Sequence, residues 1–335
     1  MLSPVPDIEP ELSVVVLMRD DYEAVRPLVR ALQRQSAREK IEVVLCSPGS
    51  RGIAVPTSDF DRFAGHQNVA LRDLRSTATA RASGVRAARG RVVAFAEDHC
   101  LPHPAWAEAI LDRHRGAWSG VGPVFRNGNP GNRVSRANFL IEYGDWAAPH
   151  PGGEIDHIPG HNSTYKRAAL LEYGADLDSV LEAESPMQWE MRSRGHRFFL
   201  EPRARVHHWN FSLLAPSLRL RFWGGRLFAA NRARSWGLAR RGLYAIASPL
   251  IPVVRLRRLL RALGRLEEEG QRGGVLAVSF VLLLADGFGE FLGYAVGGGS
   301  AMDHLSDWGE FRRGDFLLPR ERVDGRDGAA RVAFP

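Results

Sequence analysis

Cysteine is nearly absent: Cys46 and Cys100 are the only two in 335 residues. Two thiols at the ends of two expected strands make no disulfide framework, and a reducing compartment is the simpler assumption. Lysine is as scarce, with only Lys40 and Lys166. The net charge of +7 is therefore carried by arginine, a bias that suits a GC-rich bacterial genome. The opening residues MLSPVPDIEPE lack the basic and apolar regions of a signal peptide, so the chain is expected to stay on the cytoplasmic side. Acid is missing from Pro202 to Leu266, a stretch with fourteen arginines and with Trp209, Phe211, Phe222, Trp223, Phe228, Trp236 and Tyr244. That mixture suits an anionic surface. No helix-turn-helix, zinc-finger or RNA-recognition pattern accompanies it, which disfavours nucleic acid and favours an anionic membrane surface. What remains is a globular composition, 44% hydrophobic and 25% charged, large enough for one domain or for a catalytic domain with an appendage.

The stretch from Arg81 to Trp106, RASGVRAARGRVVAFAEDHCLPHPAW, organises the rest. A helical pattern ends at Gly90, and Val92–Ala96 then reads as a buried strand. Glu97-Asp98-His99 follow at its carboxyl end, where open α/β sheets place their chemistry. In an extended chain Glu97 and His99 would point to one side and Asp98 to the other. A carboxylate and an imidazole so placed can bind Mn²⁺ or Mg²⁺ and leave positions for phosphate oxygens. Ahead of them, strands are expected over Glu11–Leu17, Ile41–Cys46 and Val69–Leu71, with a helix from Tyr22 to Gln35. This alternation predicts a mostly parallel α/β sheet with helices on both faces. Loop tips at 18–21, 47–50 and 97–99 would share one edge. Further on come helices at 106–116, 138–143 and 167–173, and strands over Gly120–Val124, Phe198–Leu200 and Ala204–His208. One helix from Ser179 to Arg194 would carry Glu182, Glu184, Gln188 and Glu190.

Beyond Asn210 the alternation stops. Leu213–Trp236 is basic, aromatic and amphipathic, followed by apolar stretches at 243–254 and 275–296. The second is long enough to cross a bilayer. Yet Asp286 and Glu290 share one helical stripe with Ser279, Leu283 and Gly293, and acids in mid-span are costly unless buried against protein. A helix in the interface, or a re-entrant pair with 243–254, fits better; a core pair in a soluble protein is the alternative. The expected organisation is 1–210 catalytic (halves about 11–105 and 106–210), 211–310 membrane-associating and helical, and 311–335 a polar, poorly ordered tail.

The order of motifs from Glu11 to about Asn210 resembles the family 2 glycosyltransferases of GT-A fold. The pieces are ELSVVV, IEVV with its PGS turn, ATARASGVRAARGRVVAF before an acidic motif, GHNSTYKRAAL, the helix ending MRSRGHRF, and EPRARVHH. The resemblance implies a nucleotide-sugar donor, a lipid-linked or glycan acceptor, and an inverting, metal-dependent transfer at the cytoplasmic membrane face by a peripheral or monotopic protein. Glu97-Asp98-His99 stands where such enzymes keep Asp-x-Asp, with Glu97, His99 and the later His208 as metal ligands and Glu97 and Asp98 gripping the donor. A set with two histidines favours Mn²⁺ over Mg²⁺. Glu184 takes the place of the catalytic carboxylate, with Glu182 and Glu190 as competitors. Ser47, Ser50 and Arg81 fall on the nucleotide side. His161 and Asn162 would line the donor sugar, Asn162 otherwise serving the turn. Gln188 and Trp189 fall on the acceptor side.

The chain departs from the family pattern at Leu17-Met18-Arg19 after the first strand, at Ser47-Pro48 where acids are usual, and at Ala82. Two other classes stay open. A nucleotidyltransferase would show a glycine-rich basic loop after the first strand, which LMRDD is not. A non-catalytic nucleotide-sugar-binding or scaffold protein on a decayed transferase domain would show no metal-dependent hydrolysis of sugar nucleotides.

Overall fold

The computed structural model describes residues 9–19, 21–49, 53–74, 76–263, 272–305, 316–318 and 321. In chain order its elements are β1 (Leu12–Leu17), α1 (Tyr22–Gln33), β2 (Ile41–Pro48), β3 (Gly65–Leu71), α2 (Thr77–Ala87), β4 (Val92–Ala96), β5 (Cys100–Pro102), α3 (Trp106–His114), β6 (Gly120–Asn127) and α4 (Arg133–Tyr143). There follow β7 (Gly153–Ile155), β8 (Thr164–Lys166), α5 (Arg167–Leu171), α6 (Leu177–Val180), α7 (Glu184–Ser193) and β9 (Phe198–His208). The chain continues through α8 (Leu214–Arg232), α9 (Leu238–Ala247), α10 (Ile251–Leu263), α11 (Arg272–Val296) and α12 (Ala301–Leu305).

Nine strands form one sheet in the order β3-β2-β1-β4-β8-β6-β9-β5, with β7 on the same side of β9 as β5. The first four are parallel, as the alternation predicts. Beyond β4 the sheet is mixed, because β8 runs antiparallel to both β4 and β6. β1 is buried at every position because helices cover both faces of the sheet, and its sequence is accordingly an unbroken apolar run. One face packs α1, α3 and part of α4, the other α2, α5, α6 and α7. Helix α2 lies so close to the sheet that a Cβ on Gly84 would meet Val15 Cγ1 at 2.5 Å.

Three expected elements change. The single helix over 179–194 is two, α6 and α7, parted at 181–183. A continuous helix would drive the Pro186 ring into the carbonyl of Glu182, whereas in the first turn of α7 proline is tolerated. The two strands at 198–200 and 204–208 are one, β9, whose register against β6 shifts between Pro123 and Val124. β5, β7 and β8 were not expected; each has three residues, too short for a periodic signal.

The helices after β9 are tied to the sheet domain through α4. Ala137 and Leu140 pack with Leu259, Ala262, Leu282 and Leu283. Buried Arg221 reaches the Asn138 side chain and Glu142, and Asn138 donates to Ser217 Oγ at 2.8 Å. α11 packs most extensively on α8, where small residues allow a close crossing: a Cβ on Gly289 would run into the Phe222 carbonyl oxygen. The acid-bearing stripe of α11 faces inward, with Ser279, Leu283, Asp286 and Glu290 all buried. Arg255 of α10 pairs with both Asp286 and Glu290. Among the described residues this is one helix long and apolar enough to cross a membrane, over Gly273–Val296. Most of the tail expected at 311–335 lies outside the described residues. The part described is docked: Leu317 is buried in the sheet core, and Phe316 packs on Phe211 at 5.1 Å.

Candidate active site

β4 ends at Ala96, so Glu97-Asp98-His99 form a turn rather than the extended run expected. Three strands then bring their partners in. β5 begins at Cys100, and its pairing with β9 sets Cys100 opposite His208. β8 pairs with β4 so that Ala94 faces Thr164, which carries Asn162 back beside Glu97.

Glu97, His99 and His208 offer ligand atoms that all lie within 4.8 Å of one another. His99 Nε2 is 3.4 Å and His208 Nε2 3.6 Å from Glu97 Oε2, arranged about a common point. The other ring nitrogens fix the tautomers. His99 Nδ1 is 2.7 Å from Asp98 Oδ1, so the carboxylate accepts from Nδ1–H. His208 Nδ1 is 2.9 Å from Asn210 Oδ1. The Asn210 amide group donates to Asn127 Oδ1 and to the His208 carbonyl, which leaves its oxygen to accept from His208. Both imidazoles thus present Nε2 toward Glu97, the arrangement in which an outer partner orients a metal-binding histidine. One carboxylate and two oriented imidazoles fit a divalent cation.

Asn162 holds Glu97 from two sides. Its Oδ1 accepts from the Glu97 amide at 3.0 Å, and its Nδ2 donates to Glu97 Oε2 at 2.7 Å. It does so from the left-handed region, φ 59°, where asparagine is tolerated better than other non-glycine residues. Burial raises the Glu97 carboxyl, but His99, His161 and the hydrogen bonds around it outweigh this and hold it well below its ordinary value.

Glu184 opens α7 and faces the same space. Arg81 of α2 donates to Glu184 Oε1 at 2.7 Å, and its other terminal nitrogen is 3.1 Å from His161 Nδ1. His161 bridges the two carboxylates, 3.5 Å from Glu184 Oε1 and 3.6 Å from Glu97 Oε1. Burial raises Glu184, and His161 and Arg81 more than offset it, so the group is ionised at neutral pH. Its competitors have other partners: Glu182, also on the cleft lining, pairs with Arg234, and Glu190 pairs with Arg194 on the exposed side of α7.

Arg81, Glu97, His161 and Glu184 line one end of a cleft of about 570 Å³, while His99 and the fully buried His208 lie behind Glu97. Trp189, 44% exposed, lies on the cleft wall against Phe228. Gln188 does not reach it. Only 1% exposed, it accepts from the Ile158 amide and donates to Tyr165 Oη, anchoring α7 and the segment before His161. Ser47 lies at the end of β2 opposite Ala70, away from the cleft lining. Ser50 falls outside the described residues. Asn210 was not expected in the site; its one signal is its place two residues after His208.

Residues 13–174, which hold Arg81, Glu97, Asp98, His99, His161 and Asn162, match the family model "Glycosyl transferase family 2". Among solved structures the chain is similar to the mannosyltransferase PcManGT from Pyrobaculum calidifontis, in complex with GDP-Man and Mn²⁺. The TM-score is 0.48 and the identity 17%, over 90% of this chain and 88% of that one. No curated protein matches. The chain therefore carries a family 2 glycosyl transferase domain over residues 13–174 and is a glycosyltransferase.

Proposed function

We propose that the protein moves a sugar from a nucleotide-sugar donor to a hydroxyl of a lipid-linked or glycan acceptor, with inversion, at the cytoplasmic face of a membrane. The observation that carries this reading is the convergence of Glu184, Arg81 and His161 on Glu97 at one end of a single cleft. Glu97, His99 and His208 would hold a divalent ion, Mn²⁺ ahead of Mg²⁺, which when bound supplies charge stabilisation to the departing nucleoside diphosphate. Asn162, Asp98 and Asn210 orient those three ligands.

Glu184 is the base that takes the acceptor hydroxyl proton. Its ionised state at neutral pH, kept by Arg81 and His161, is the form a base needs. Arg81 also offers its guanidinium to donor phosphate oxygens, a fork that suits them. Trp189 on the cleft wall offers an apolar face to the acceptor.

The test is thermal unfolding against a panel of UDP-, GDP- and dTDP-sugars, with and without Mn²⁺, for wild type and Glu97→Ala. A donor at a hundred times its dissociation constant stabilises the fold by about 2.7 kcal/mol. One metal-dependent donor should raise the wild-type melting temperature and leave Glu97→Ala unmoved. No shift with any donor under any metal would overturn the reading in favour of a non-catalytic scaffold.

A further inference from the structure

α9 and α10 expose one apolar stripe that no other described residue covers. Leu243, Ile246, Leu250 and the pair Val253 and Val254 recur at three- and four-residue spacing across the short turn at 248–250, and Leu260 is exposed further along α10. Ile246 is 79% exposed, more than a residue of its kind shows in a settled interior. α11 packs on both helices and exposes a second stripe, Phe280, Val281, Leu284, Phe288 and Phe291. α9 and α10 carry no acid and expose cations, Arg240 on α9 and Arg257 on α10, inside the stretch 202–266 that has no Asp or Glu.

We infer that the outer face of α9, α10 and α11 is seated in one leaflet of an anionic phospholipid bilayer, with the helices in its plane and α11 not crossing it. A large apolar patch with a basic border is what an in-plane helix presents to such a leaflet. A crossing is disfavoured by the other side of α11. There Asp286 and Glu290 pair with Arg255, and Gly289 and Gly293 press on α8, so half of the helix is already covered by protein. The inference deepens the proposed function, on which its account of the acceptor rests. Arg255, Arg258, Leu259 and Leu283 of these helices also line the cleft that ends at Glu184. An acceptor whose apolar chain stays in the leaflet would reach the base along that wall.

The test is co-sedimentation of the full chain with vesicles of phosphatidylglycerol and phosphatidylcholine, and of phosphatidylcholine alone. Wild type should partition onto the anionic vesicles, and Ile246→Glu with Leu250→Glu should weaken this tenfold or more. The more conservative Leu243→Ser should weaken it less. The donor-induced melting shift should stay at its wild-type size in all of them. That separates a failed docking surface, with donor binding kept, from a failed transferase reading, in which no donor binds at all. Gly273→Cys and Ser300→Cys, added from outside, should both react with an impermeant maleimide on the vesicle. Protection of one end alone would show a crossing and overturn the in-plane placement. Equal binding by the glutamate variant, no binding to anionic vesicles, or self-association abolished by that variant without lipid would overturn the surface.

Discussion

Glu42 and Glu97 are both buried glutamates in one sheet, near its opposite ends, and they are treated differently. Glu42, at the start of β2, accepts from Ser13 Oγ at 2.5 Å, the Arg89 amide at 2.9 Å, Arg89 Nε at 2.6 Å and Gln67 at 3.1 Å. Its lone pairs are used by donors from β1, β3 and the turn before β4, so it clamps three neighbouring strands. Glu97, just past β4, accepts one side-chain hydrogen bond from Asn162, while His99 and His208 stand at 3.4 and 3.6 Å with their outer nitrogens held by Asp98 and Asn210. A carboxylate saturated by donors holds a fold together. One ringed by oriented nitrogen ligands at longer range is arranged to bind something else.

Glu184, half-buried at the end of the cleft, gives the largest test of the contrast. Glu184→Gln keeps the shape and removes the base, so turnover should fall by roughly 10²–10⁴-fold. Metal- and donor-dependent melting shifts should persist, since Glu97, His99 and His208 are untouched. A variant with near-normal turnover would remove Glu184 from the chemistry and return attention to Glu182. Next in size are the residues that orient the histidines. Asn210→Ala and Asp98→Ala should each weaken Mn²⁺ binding by about 10–100-fold, read by titration calorimetry, with the fold intact. Unchanged affinity in both would mean that the tautomers of His99 and His208 are set by something other than these side chains.

Sequence patterning carried much of this geometry. The parallel half of the sheet was legible because buried parallel strands are continuous apolar runs, and Glu97 was legible as the residue just past one of them. His208 could be paired with it only through the family resemblance. The contact that places it there is the three-residue β5, whose pairing with β9 leaves no periodic trace. Asn162 was read as lining a sugar or serving a turn, and the second description is the nearer: its backbone makes the turn and its side chain holds Glu97. Gln188 was misjudged for a plain physical reason. The family resemblance put it on the acceptor side together with Trp189, yet residues one apart on a helix point about 100° from each other, and Gln188 points into the core. The inward stripe of α11 was legible because Asp286 and Glu290 fall one turn apart, and only a partner such as Arg255 makes that tolerable.

The smallest expected effect sharpens the comparison from the structural side. Glu42→Gln keeps the size of the side chain but puts an amide donor among Ser13, Arg89 and Gln67, which already donate. The expected cost is about 1–3 kcal/mol of stability, with Mn²⁺ and donor binding unchanged. The pH dependence gives the sign. Burial raises the Glu42 carboxyl, but the bonds from Ser13 and Arg89 outweigh it, so its folded pKa lies below the ordinary 4.5. A depressed carboxylate contributes stability that is full above the unfolded value and is lost as pH falls through the folded one. The melting-temperature gap between wild type and Glu42→Gln should therefore be constant from neutral pH down to about 5. Below the unfolded value it should close, as wild type takes up the proton that the variant has no site for. A gap that stays open at lower pH would show that shape and hydrogen-bond count, rather than charge, make Glu42 the clamp.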